Sequence, residues 1–367
     1  MGVLRCYLAL CVVAAHASAG VAPWMLGSTE AVQIFFIISG FYMQLVLSRK
    51  YSGIAQFYES RALRIYVPYY LSLALVVIAS TASGILGGKW LALQAYAGHP
   101  FSANDPLAFL LAAASNLTIF GQDLTLFLNG APGEFLRFRQ AAPTAPGLCT
   151  YLVIPQSWTI ALELTFYLVA PFLARWSTAR LLLLLVTSLA LRFTGLLVFG
   201  LGHDPWLYRF FPFELALFLA GMLACRWYLA RRRAEEPGKK GGWAATLLAI
   251  AILTVCTRLL PDHSATASEL AVLLGFYGFV AAGVALLFAR TEANSTDRNL
   301  GELSYPIYLN HYIFVQFFAA YGFPSLIPRG LTGEFVMVLS LILAVLMNRV
   351  FLKPFEEWRH RVLRIAA

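Results

Sequence analysis

The stretch "RCYLALCVVAAHASAG", residues 5–20, is apolar enough to enter a membrane, yet it opens on Arg5 and carries His16 eleven residues later. Eleven residues is close to three turns of α-helix, so both side chains share one face, about 16 Å apart along the axis. An ionisable group inside a span is costly and by default marks function. A secretory signal is the competing reading, with Arg5 as the charged start and "ASA" at 17–19 as the cleavage motif. A histidine beside that motif argues against it, and so does the charge pattern of the remaining chain.

Of the 367 residues, 60% are hydrophobic and only 12% are charged, with a mean hydropathy of +0.71. A soluble chain carries about twice that charge fraction. Twenty-eight Phe, 17 Tyr and 8 Trp add an aromatic load suited to lipid and to its interfaces. The net charge of +9 sits in short hydrophilic connectors, where topology and anionic headgroups account for it. No basic stripe with interleaved stacking aromatics lies outside the apolar segments, which argues against a nucleic-acid partner. The five cysteines have no CxxC or metal-ligand spacing, so neither a disulfide framework nor a metal is expected.

A span needs about 20 apolar residues. Windows of that kind fall at 3–22, 29–48, 65–86, 158–175, 180–200, 209–229, 243–260, 270–290, 303–322 and 331–352. A weaker one at 107–128 is interrupted by Asn116, Gln122 and Asp123. The basic connectors "SRKYSGIAQFYESRALR" (48–64) and "RWYLARRRAEEPGKKGG" (226–242) both belong inside by the positive-inside rule. That requires an even number of crossings between them, which the strong windows supply and 107–128 would break. The expectation is an all-α integral membrane protein, one domain over 1–367, with about ten transmembrane helices and both termini cytoplasmic. Segment 107–128 is then re-entrant or lies against the outer surface. The Asn-x-Ser/Thr triplets at Asn116 and Asn294 carry little weight, since short motifs arise by chance.

The ionisable residues within spans are His16, Glu163, Arg192, Glu214 and His311, with Arg5, Glu30, Arg61 and Arg64 at or near span ends. Arg5 falls at the inner rim and His16 in the outer half. A ligand touching both is long, anionic at the inner end and reactive at the outer end, as the phosphopantetheine arm of an acyl-CoA is. The plainer reading makes Arg5 a topology residue and His16 an interhelical hydrogen bonder. Arg61 and Arg64, i and i+3, share a face at the inner mouth, where guanidinium forks suit phosphate; simple topology explains them equally. Glu163 in "PQSWTIALELTFYLVAPFL" (155–173) either orients a catalytic imidazole or pairs structurally with a cation such as Arg192. Tyr305, Tyr308 and His311 share one helix in "LGELSYPIYLNHYIFV" (300–315), with packing and interfacial anchoring as the rival account. The Ser39–Gly40 pair reads as a close helix contact.

Laid side by side, these stretches resemble the membrane acyltransferase 3 family. "LRCYLALCVVAAH" is similar to its Arg-x10-His first-helix signature, "VQIFFIISGF" to its FF-(V/I)-(L/I)-SGF block and "SRALRIYVPYY" to its R-x-x-R-x-x-P block. "SWTIALELTFYLVAP" resembles the WS-L-A-x-E-x-x-F-Y block and "LSYPIYLNHY" the LSY-x-I-Y-L-x-H block. All five occur in family order between residues 4 and 312. Departures are Gln33 where Asp is common, Leu164 in place of a second acid, and Cys6 in place of Gly. The resemblance implies transfer of an acyl group, most often acetyl, from cytoplasmic acyl-CoA to a hydroxyl on an extracytoplasmic or lipid-linked glycan, in a bacterial inner membrane. It implies His16 as the catalytic residue, Arg5, Arg61 and Arg64 as donor-binding residues, and Glu163 as the acid of the fourth block. The esterase-like domain of some members is not expected, so any acceptor-handling partner is a separate protein. Two rival classes are a secondary transporter of a polar or anionic solute, which would show paired, broken-helix repeats, and a structural component of a glycan export complex.

Overall fold

The computed structural model describes residues 1–49, 53–98, 106–129, 147–232, 243–261 and 266–363. Among them the chain is helical, with one isolated bridge between Asn129 and Gly147. The main helices are α1 (Gly2–His16), α2 (Ser28–Arg49), α3 (Ile54–Gly87), α4 (Pro106–Thr118), α5 (Trp158–Leu173), α6 (Thr178–Phe199), α7 (Phe211–Arg232), α8 (Trp243–Thr257), α9 (Ala267–Thr291), α10 (Ser304–Tyr321) and α11 (Thr332–Met347). Each of the ten apolar windows is thus occupied by a helix. By length and composition, six segments suffice to cross a membrane: Ser28–Arg49, Ile54–Gly87, Thr178–Phe199, Trp206–Arg232, Ala267–Thr291 and Thr332–Arg359. The helices α1, α5, α8 and α10 are shorter or more polar. Of the two basic connectors that set the expected topology, residues 50–52 and 233–242 lie outside the described residues.

Two boundaries differ from expectation. The first helix ends at His16 rather than near residue 22, because Ser18 takes a left-handed φ of 50° and Gly20 and Pro23 follow. The 107–128 segment is two pieces. α4 has 13 residues, and Ile119 and Gly121 both adopt positive φ before a short helix at Gln122–Thr125. At 1.5 Å per residue, α4 covers about 20 Å of about 30 Å of hydrocarbon, and the break at Ile119–Gly121 stops it from continuing. Its polar interruptions hold it in place. Asn116 donates to the Tyr151 carbonyl at 2.9 Å and accepts from the Val153 amide at 2.8 Å, and Gln122 accepts from Ser157 Oγ at 2.5 Å.

Apolar side chains face outward along α3 and α6, where Ile78, Ile85, Leu183, Val186, Leu197 and Val198 are all well exposed. Such surface suits hydrocarbon rather than water. α2 forms the centre, flanked by α1, α5, α7 and α9. Its tightest contact is with α7, and two glycines make it possible. A Cβ on Gly40 would stand 1.9 Å from the Phe218 carbonyl oxygen, and one on Gly221 would stand 1.9 Å from that of Ile37. Small residues let membrane helices approach backbone to backbone.

Gly40→Leu forces α2 and α7 apart and is expected to cost at least about 3 kcal/mol, since the obstacle is backbone rather than a side chain that can turn away. Gly283→Ala, with nothing near the added carbon, leaves the melting midpoint of the detergent-purified protein unchanged or slightly raised. Equal midpoints for the two variants would refute the close crossing.

Candidate functional site

The chain end of α1 and the middle of α10, separated by nearly the whole sequence, meet at two imidazoles. His16 Nδ1 lies 2.8 Å from His311 Nε2, with ring planes 8° apart. His311 is fully buried, and its Nδ1 lies 2.8 Å from the Tyr308 carbonyl oxygen one turn earlier. A carbonyl can only accept, so His311 Nδ1 carries the hydrogen. In neutral His311 the other nitrogen, Nε2, is then an acceptor, and His16 Nδ1 must donate to it. The lone pair of neutral His16 therefore resides on Nε2. His16 itself is exposed at the end of α1.

The backbone that fixes this tautomer is itself fixed. Gln156 donates to the Tyr308 carbonyl at 3.2 Å and to the Leu309 carbonyl at 2.7 Å. Tyr308 Oη donates to the Gln156 carbonyl at 2.8 Å and lies 2.8 Å from Thr159 Oγ1. The start of α5 thus clamps α10 at the turn that carries His311.

A second cluster lies one turn further along α5. Tyr167 Oη donates to Glu163 Oε2 at 3.2 Å and lies 3.2 Å from Ser39 Oγ, so Ser39 is a polar partner as well as the neighbour of a close-packing glycine. The charges of Arg5 and Arg61 act on Glu163, and those of Arg61 and Arg64 act on Tyr167. Arg5 also lies 6.0 Å from the Tyr42 ring centroid. The Tyr305 side chain faces this cluster and donates to the Ile65 carbonyl at 3.2 Å. The structure puts Glu163 within reach of the Arg5 and Arg61 charges and Tyr167 within reach of Arg61 and Arg64, and it brings His16 together with His311, which bonds to the Tyr308 carbonyl. Glu163 is not in hydrogen-bond contact with His16.

Two further buried charges form a third group. Arg192 on α6 pairs with Glu214 on α7 at 3.2 Å, rather than with Glu163. Gln33 on α2 donates to both Glu214 oxygens at 3.1 and 2.9 Å, and Tyr277 on α9 donates to Gln33. Arg192 Nη2 reaches the Leu207 carbonyl at 2.6 Å, fixing the one-turn helix Trp206–Arg209. That turn delivers Arg209, whose guanidinium lies 4.5 Å from the Trp158 ring centroid at the start of α5. Sequence reasoning passed over Gln156, Thr159, Asp204 and Arg209. The first two stood in a stretch read only for its carboxylate; the last two sit in "DPWLYRFF" (204–211), whose aromatic content reads as interfacial anchoring.

Among the described residues, no group of three or more His, Cys, Asp or Glu side chains is placed to hold a metal. Fold and site together define a helical membrane protein with a hydrogen-bonded imidazole pair at one end of its bundle and an arginine–glutamate cluster deeper in. The acyltransferase domain model of the acyltransferase 3 family matches residues 1–349, and the chain belongs to that family. It is also similar, at 26% identity over 306 residues, to Nodulation protein 10 of Rhizobium leguminosarum bv. viciae, the match covering 81% of this chain and 75% of that protein. No solved structure matches it. The protein is therefore an acyltransferase built on apolar helices.

Removing one partner of the Arg192–Glu214 pair leaves the other charged and buried, which is expected to destabilise by about 3–5 kcal/mol. Arg192→Met should therefore lower the melting midpoint steeply, and the double variant Arg192→Met/Glu214→Gln should recover much of the loss. Additive losses in the double variant would count against a direct pair.

Proposed function

We propose that the protein transfers an acyl group, most simply acetyl, from acyl-CoA on the cytoplasmic side to a hydroxyl of an extracytoplasmic or lipid-linked glycan, with His16 as general base. The observation that carries this reading is the hydrogen-bond chain from the Tyr308 carbonyl through His311 to His16, which, among the described residues, leaves the basic nitrogen of an exposed imidazole without a protein partner. Nε2 takes the proton of the acceptor hydroxyl as its oxygen attacks the thioester carbonyl carbon. The tetrahedral intermediate collapses with cleavage of the C–S bond, and the departing sulfur takes the proton back from His16. The products are an ester and free CoA. While His16 is an imidazolium, its Nδ1–H remains bonded to neutral His311, so the ring does not turn during proton transfer. His311 takes the orienting role for which the sequence offered Glu163.

The donor's phosphates and pantetheine arm are assigned to the other cluster. Arg5, Arg61 and Arg64 converge there, on the side expected to face the cytoplasm, and guanidinium groups bind phosphate in a forked manner. Glu163 lies within electrostatic reach of Arg5 and Arg61, and Tyr167 of Arg61 and Arg64. Arg5 and His16 stand about 16 Å apart on one helix, which suits an extended thiol arm. The transporter and export-component readings lose ground to the family membership, since neither needs an oriented base.

In a full topology, ten helices cross with both termini in the cytoplasm. A cysteine introduced within 233–242, in a background where the five native cysteines are replaced, should be labelled by an impermeant maleimide only after permeabilisation. Labelling in intact cells would overturn the arrangement.

The transfer itself is tested by mass spectrometry of surface glycans from cells lacking the protein, complemented with variants at matched membrane levels. Ester groups should vanish on deletion and return with wild type. His16→Ala should reduce transfer by about 10²–10⁴-fold, the range for loss of a general base. His311→Ala should give a smaller loss confined to kcat, partly rescued by His311→Gln, which restores an acceptor for the His16 N–H. Full ester content with His16→Ala would place the chemistry elsewhere.

A further inference from the structure

The one-turn helix Trp206–Arg209 carries a polar pair that the transfer step does not use. Arg209 Nε donates to Asp204 Oδ1 at 2.5 Å, and Nη2 donates to Asp204 Oδ2 at 3.3 Å and to Tyr208 Oη at 2.5 Å. The guanidinium plane is held against two rings, 4.5 Å from the Trp158 centroid and 4.6 Å from that of Tyr208. Arginine stacks on aromatic faces in this way without giving up its in-plane donors. Among the described residues, Nη1 has no hydrogen-bond acceptor. The Asp204 side chain is 54% exposed and that of Arg209 18%, so the pair presents a fixed donor beside an open acceptor.

Its position is set by the same scaffold as the imidazole pair. Trp158, under the guanidinium, precedes Thr159, and Thr159 is bonded to Tyr308, whose carbonyl holds His311. The Arg209 charge acts on both His16 and Tyr308. Arg209 is thus within electrostatic reach of the base, and the buried Arg192 bond to Leu207 keeps the turn there.

We infer that Asp204 and Arg209 form the subsite that holds the sugar acceptor, reading a neutral, vicinally hydroxylated ring by one donated and one accepted hydrogen bond and thereby aiming a neighbouring hydroxyl at His16. This rests on the transfer reaction proposed above. A neutral polyol fits better than an anionic group. Each sugar hydroxyl both donates and accepts, matching the pair, whereas a carboxylate or phosphate only accepts and would face the Asp204 charge. With Asp204 bound along one edge of the guanidinium, the pair carries no net charge to attract an anion. Preorganisation by the two rings and the carboxylate means that little side-chain freedom is lost on binding.

The test uses the purified full-length protein in lipid nanodiscs, with radiolabelled acetyl-CoA as donor and, as acceptor, surface glycan isolated from the deletion strain. Arg209→Gln and Asp204→Asn should each raise KM for the glycan by roughly 10- to 100-fold, the cost of one charge-assisted hydrogen bond. The loss should fall on that KM rather than on kcat or on KM for acetyl-CoA. Arg209→Lys keeps the charge but not the flat fork and should resemble Arg209→Gln. Asp204 is a surface residue, so its variant tests the subsite without threatening the fold. A fall in kcat at unchanged glycan KM would overturn the inference in favour of a direct effect of the Arg209 charge on the reacting centre. So would tighter glycan binding by Asp204→Asn, which would identify an anionic acceptor, or wild-type kinetics in both variants. If wild type itself moves no label from acetyl-CoA to glycan, the transfer reading fails first and the subsite falls with it.

Discussion

A polar group buried among apolar helices has no water to turn to, so it must find its partner on another helix or remain a cost. That constraint organises this bundle. Gln33, Glu214, Arg192 and Tyr277 come from α2, α7, α6 and α9 and close into one network. Glu214 receives donors from both an amide and a guanidinium, which satisfies the lone pairs that make an isolated buried carboxylate so costly. The amide atoms Gln156 Oε1 and Asn310 Oδ1 lack a partner among the described residues, but in each case the NH2 of the same side chain is bonded. Hydrophobic burial gives these helices no reason to prefer one neighbour over another, since lipid is equally apolar. Polar pairs and glycine contacts specify the arrangement instead.

The imidazole pair follows from the same constraint. His311 is sealed from solvent, so its two nitrogens must both be satisfied within the protein. One goes to a backbone carbonyl of its own helix and the other to His16. Neither choice leaves freedom for a different tautomer while both rings are neutral, and the result is a base whose basic atom is determined by burial elsewhere. α5 then links the parts of the site. Thr159 serves the imidazole end, and Glu163, one turn on, serves the arginine end. The imidazole pair and the arginine-facing Glu163 are thus held in register by a single helix.

The helices themselves were legible because apolar composition outweighs every other signal in this chain. His16, Glu163 and His311 stood out for the same reason, as ionisable groups in apolar runs. Which group pairs with which was not legible. The sequence offers Arg192 two buried carboxylates, Glu163 and Glu214, and only the rotation of each helix about its axis decides between them. The His16–His311 bond spans 295 positions, so no local periodicity announces it; Tyr308, at i−3 on the same helix, bonds His311 through its carbonyl rather than its ring. Arg209 was hidden by its company, because an arginine among Trp, Tyr and Phe at a span end is what a membrane interface ordinarily requires.

The early end of α1 is the misjudged boundary that matters most for chemistry. Ala17, Ser18, Ala19 and Gly20 pass a hydropathy threshold, yet small side chains bury too little surface to hold a helix against an outside pull. That pull is specific. Ala19 packs directly on Gly333, where a Cβ would come within 2.3 Å of the Ala19 Cα, and the Val21 amide donates to Glu334 Oε1 at 2.9 Å. The chain is drawn onto the start of α11 and leaves the axis of α1 just after His16. In a helix, side chains lean toward the N-terminus, so residues three and four positions later cover the one before them. Had α1 continued, its next turn would have lain beside the imidazole, with the Ala19 methyl leaning back toward residue 16. Turning the chain aside at Ser18 takes that turn away while keeping Nδ1 of the ring on His311, so the end of the helix is what leaves the imidazole exposed.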